Sequence, residues 1–128
     1  MMNFLLVVLG SGLGGGLRYW LSGVIAHRFG ETFPWGTLVV NVLGCFAIGF
    51  FATATGTDGR WLVKPAGRTF FMVGICGGFT TFSSFSLQTL SLARDSEWLY
   101  AGLNILGSVA LCLISVWLGH FLATQLNR

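Results

Sequence analysis

Charged residues are scarce in this chain. Asp, Glu, Lys and Arg make up 9% of its 128 residues, against roughly 25% in soluble domains. Four are acids and seven are bases, for a formal net charge of +3. The pI near 9.1 thus reflects few acids rather than a basic patch. No cluster of Lys or Arg is present, which excludes a nucleic-acid-binding surface. There are two prolines, and the hydrophobic fraction of 54% excludes a disordered chain. Cysteine is limited to Cys45, Cys76 and Cys112, an odd number with no ligand spacing, and each lies in an apolar run. They read as small buried hydrophobes rather than as a disulfide or metal set. No nucleotide-binding motif, metal cluster or Ser/His/Asp constellation occurs, so enzymatic activity has no support.

Four long apolar runs fill the chain, at about residues 4–26, 35–55, 69–93 and 98–122. Each is at or above the ~20 residues that cross ~30 Å of hydrocarbon as a helix. The expectation is an all-α membrane protein of four transmembrane helices, forming a single domain over 1–128 with short connections. The first run lacks a basic leader and reads as a retained span rather than a signal peptide. Trp35, Trp61 and Trp98 fall at run edges, where indoles prefer the interface. An even number of spans puts both termini on one side, with Arg60, Lys64, Arg68 and Arg128. Arg28 and Arg94 lie on the other side. This bias is weak, and it permits insertion in both orientations. Glycines at 10 and 14, at 12 and 16, and at 44 and 49 predict close helix contacts.

The polar groups inside the runs carry the functional signal, because such groups face protein or water. Arg18 lies 14 residues after Phe4, roughly 21 Å along a helix. It reads either as a snorkelling residue or as an electropositive vestibule for anions. Asn41 is a mid-span amide, suited to a pore or to an interhelical hydrogen bond. The third run contains Gly77-Gly78, a candidate helix break, followed by Thr80, Thr81, Ser83, Ser84 and Ser86. Phe79, Phe82 and Phe85 recur every third residue and are expected to line one face. Broken backbone at membrane depth exposes carbonyls that can hold a cation, and phenyl edges can meet an anion. In the last run Tyr100, Asn104 and Ser108 share a helix face, as a hydrogen-bonding track or as bundle glue. No acid lies in any run, which argues against proton-coupled cation export.

Gly15-Gly-Leu-Arg-Tyr19, Gly36-Thr-Leu-Val-Val-Asn-Val-Leu-Gly44 and Gly74-Ile-Cys-Gly-Gly-Phe-Thr-Thr-Phe-Ser-Ser-Phe85 resemble the motifs of the Fluc/CrcB fluoride channel family. The likeness covers nearly the whole chain. It implies a fluoride-selective channel of the bacterial inner membrane, giving passive fluoride export. It also implies an antiparallel, dual-topology homodimer with a structural sodium ion at its centre. By motif position the sodium would lie on the backbone carbonyls of Gly77 and Thr80. The fluoride path would involve Asn41, Phe82, Phe85, Thr81, Ser83 and Ser84, with Tyr100, Asn104 and Ser108 on the last helix and Arg18 in the vestibule. Two positions depart from the family pattern: Ser83-Ser84 replaces the frequent Ser-Thr, and Gln88 stands where many members carry Glu. The alternative weighed against this reading is a four-span multidrug-type cation exporter, which shares the size but requires a membrane carboxylate. A further alternative is a non-transport scaffold whose polar groups only fasten helices.

Overall fold

The computed structural model describes all 128 residues as helices joined by short connections. Four helical spans are long and apolar enough to cross a membrane. They comprise α1 (Met2–Phe29), α2 (Trp35–Ala54), a composite third span (Pro65–Arg94) and α6 (Trp98–Asn127). The third span contains α3 (Pro65–Arg68), a π-helical segment (Thr69–Cys76), α4 (Gly77–Phe79) and α5 (Phe82–Arg94). The expected spans are therefore present, the first, third and fourth extended by a few residues and the second matching to within one. α1 stops at Gly30, whose φ of +82° suits only glycine without strain. α3 starts with Pro65 at a position where the missing N–H costs nothing.

The protein is apolar outside and small or polar inside. Its buried residues include Ala54, Ala101, Ala123, Thr37, Asn104, Ser108 and Ser115, while Leu, Phe and Trp residues cover the surface. That arrangement suits lipid, where small residues let backbones approach and hydrogen bonds join helices. α2 lies along α6, with Gly49 against Val116 and Gly119 against Phe46. Ser115 Oγ donates to the Val42 carbonyl at 2.7 Å across the same contact. α1 lies against the π segment and α4. A Cβ on Gly10 would sit 2.7 Å from the Phe70 carbonyl oxygen, and one on Gly14 would strike the Ile75 carbonyl. Gly12 and Gly16, the second expected pair, face open space. Their spacing alone does not distinguish a packed face from a free one.

The break in the third span lies three residues beyond its expected place. Gly77 and Gly78 remain helical, and the chain becomes extended at Thr80 (φ −80°, ψ 157°) and Thr81 (φ −151°, ψ 119°). Gly78 serves packing instead. The Cβ that Gly78 lacks would stand 2.7 Å from Ser11 Cα of α1. The break also divides the phenylalanine stripe. Phe79 is buried before it, next to Gly44 of α2, while Phe82 and Phe85 follow it with ring centroids 5.3 Å apart.

Candidate permeation site

The extended pair Thr80–Thr81 is held open by a side chain from another helix. Asn41 Nδ2 donates to the Thr81 carbonyl at 3.0 Å, and Thr81 N–H donates to Asn41 Oδ1 at 2.7 Å. The backbone donor and acceptor fix the amide's orientation, since a flipped amide would face like against like. Thr81 also caps α5, its Oγ1 accepting from Ser84 N–H at 3.2 Å. Such a cap is worth about 1 kcal/mol.

These bonds redistribute the backbone carbonyls. In an unbroken helix Thr81 N–H would reach Gly77 and Ser84 N–H would reach Thr80. Here the first goes to Asn41 and the second to the Thr81 hydroxyl. The Gly77 and Thr80 carbonyls are thereby released from the ladder. Gly78 is different: its carbonyl accepts from Arg18 Nε at 3.1 Å. Arg18 is thus tied to the break itself rather than left as an unpaired cation.

Two clefts meet here. The larger, of about 900 Å³, opens where the connection after α1 and the connection before α6 come together. Arg18 and Ser84 line it, with Gln88, whose Oε1 is buried without a partner. Glu31, Asp95 and Glu97, three of the chain's four carboxylates, also line it. The second cleft, of about 330 Å³, lies deeper and is lined by Asn41, Gly77, Thr80, Phe82, Phe85 and Ser108 among others. Thr81 lines both clefts. It therefore stands at their junction, pinned at both backbone polar groups by Asn41.

The remaining residues singled out in the sequence fall around this junction unequally. Ser83 is exposed, with its hydroxyl 3.3 Å from Thr81 Oγ1. Of the three α6 residues, Tyr100, Asn104 and Ser108, only Ser108 reaches a cleft. Asn104 is buried at 2% exposure, donating through Nδ2 to Thr89 Oγ1 at 2.9 Å and accepting from Ser108 Oγ at 3.2 Å. Thr89 in turn donates to the Phe85 carbonyl at 2.8 Å. Tyr100 lies at the α6 entrance, edge-on to Phe33 with centroids 6.0 Å apart. From Asn104 the α6 face thus acts within the chain as a hydrogen-bonded fastening of α6 to α5, and it opens to the inner cleft from Ser108 onward. Thr89 was not singled out in the sequence; its place one turn after Phe85 was the available signal.

The site combines hydroxyls, backbone carbonyls, one guanidinium and phenyl rings, with no carboxylate in the inner cleft. An arrangement of uncharged donors beside a cation suits a small anion.

Comparison with known proteins gives the same direction. The family model described as CrcB-like protein, Camphor Resistance (CrcB), matches residues 5–120. A protein of Paramagnetospirillum magneticum named as a fluoride-specific ion channel FluC is 67% identical over the full length of both chains. Equally named proteins of Opitutus terrae and Rhodospirillum rubrum are 60% and 57% identical. These matches cover 99% of this chain and 96% and 98% of theirs. With most of its length matched by the family model and its whole length by such relatives, the chain belongs to the CrcB family.

Proposed function

We propose that this chain is a fluoride-selective channel that lets fluoride leave the cell down its electrochemical gradient. The observation that carries the reading is the junction at Thr81, where a wide polar cleft beneath Arg18 meets a narrow cleft without carboxylates. Fluoride is small and tightly hydrated, so its passage requires a dense set of donors to replace water. The Thr81 hydroxyl, the second Asn41 amide hydrogen and the edges of Phe82 and Phe85 line the inner cleft, while the Thr80 and Ser108 hydroxyls that also line it donate to the Cys76 carbonyl and to Asn104 Oδ1. Arg18 attracts an anion only close to its own guanidinium, since the three carboxylates that also line the wide cleft outnumber it.

The inner cleft is open on one side, and Phe82 is 78% exposed. A second copy, inserted in the opposite orientation in a bacterial inner membrane, closes it and completes the path. The Gly77 and Thr80 carbonyls, released from the helix, suit a hard cation such as sodium. Two carbonyls from each copy would supply four oxygen ligands and join the breaks of an antiparallel pair. Such an ion would satisfy the lone pairs of those carbonyls, a structural role.

The test uses purified protein in liposomes loaded with potassium fluoride, with a fluoride electrode outside and valinomycin to carry the compensating current. Prompt fluoride release supports the channel. Vesicles that stay sealed refute it, and proton-driven uptake of a lipophilic cation supports the multidrug-type exporter instead. Reporter fusions at the C-terminus test orientation. Signal from both sides of the membrane supports dual topology, and signal from one side only overturns it.

A further inference from the structure

The inner cleft has a feature that fluoride passage does not use. Cys45, Cys76 and Cys112 lie on three different segments, yet all three line it. Their register explains this. Cys45 lies four residues after Asn41, Cys112 four residues after Ser108, and Cys76 four residues before Thr80. Four residues return a side chain to the same helix face about 6 Å further along. α2 and α6 run parallel, as the pairing of Val42 with Ser115 and of Thr53 with His120 requires. The third span runs against them. The three displacements therefore point the same way, and a layer of thiols underlies the polar layer. Cys45 and Cys112 lie one turn before Gly49 and Val116, which are in contact, and two turns before Thr53 and His120, which are hydrogen-bonded, so α2 and α6 set the two thiols side by side. Both are half-buried, Cys76 is buried, and all three are free.

We propose that Cys45 and Cys112 form a two-thiolate clamp for a thiophilic divalent cation of the mercuric class, and that an ion held there closes the cleft to fluoride. The second half rests on reading the inner cleft as the fluoride path. Thiolates select soft cations, and mercuric ion takes two of them in line, with no third ligand. Zinc would need four ligands, and no carboxylate or imidazole is present in the cleft. Two S–H bonds break, two S–Hg bonds form and two protons leave to water, with no electron transferred. The doubly charged ion and two thiolates make a neutral unit, as membrane depth requires.

The test treats the full-length protein with mercuric chloride and reads intact mass and fluoride efflux separately. The expected mass gain is one mercury less two protons per chain, with efflux lost and then restored by excess dithiothreitol. Cys45→Ser and Cys112→Ser are each expected to need on the order of a hundredfold more mercury for the same fractional loss of their own efflux, since a second tethered ligand is gone. Cys76→Ser is expected to respond as the parent protein does. Equal sensitivity of either of the first two variants, or mercury found on Cys76, overturns the clamp. Mercury bound across Cys45 and Cys112 with efflux unchanged overturns the closure. If untreated protein passes no fluoride, the channel reading fails, while the mass measurement still decides the clamp.

Discussion

Replacing Asn41 with Asp changes one atom and separates two consequences of the junction. Asn41 makes two bonds to Thr81, at 2.7 and 3.0 Å. A carboxylate keeps the first, because it accepts from Thr81 N–H. It loses the second, because both its oxygens are acceptors and one must face the Thr81 carbonyl. The structural cost is one lost bond plus an acceptor clash, about 1–3 kcal/mol, which a folded helical bundle survives. The cost to a passing anion is larger. Two unit charges about 4 Å apart repel by about 4 kcal/mol at an effective dielectric constant near 20. At about 1.4 kcal/mol per factor of ten, fluoride passage falls about a thousandfold. The assay is initial efflux from loaded liposomes, with the variant's fold checked by size-exclusion elution and circular dichroism. A folded Asn41→Asp protein with efflux within about tenfold of the parent would show that no anion passes near this amide, since tenfold accounts for only ~1.4 of the ~4 kcal/mol expected.

Three further substitutions probe other links. Gly14→Val drives side-chain atoms into the Ile75 backbone, and the overpacking costs about 1–3 kcal/mol or more; Gly12→Ala meets nothing within 4 Å and shifts stability by about 0.5 kcal/mol or less. Denaturation in detergent checks the pair, and equal effects would contradict the assigned α1 face. Asn104→Ala removes the link between Thr89 and Ser108 and is expected to cost about 1–2 kcal/mol, read by the same unfolding measurement. Phe82→Ala removes a ring that is 78% exposed within one chain, so the fold of the chain is expected to persist while efflux falls; unchanged efflux would remove this ring from the path.

The four spans were legible because run length and the absence of acids are local properties of the chain. The break was legible in kind but misplaced. Gly77-Gly78 has the composition of a break, yet both glycines stay helical and Gly78 packs against Ser11. The true break at Thr80–Thr81 is set by an amide 40 positions away, on α2. No local pattern encodes that partner. The same limit applies to Arg18, whose bond to Gly78 spans 60 positions, and to the cysteines. Their spacings in the chain follow no ligand pattern, and only the parallel course of α2 and α6 sets two of them side by side. On α6 the spacing of Tyr100, Asn104 and Ser108 identified a shared helix face. It did not distinguish a cleft-lining residue from one bonded to α5, because that depends on how α5 docks.

The central claim is that uncharged donors around Thr81 replace the water shell of the smallest halide and of no larger one. The most direct measurement compares fluoride and chloride release from identical liposomes at equal gradients, with valinomycin present. The account predicts rapid fluoride release while chloride stays trapped. Equal release of the two halides, or release of chloride alone, would contradict it.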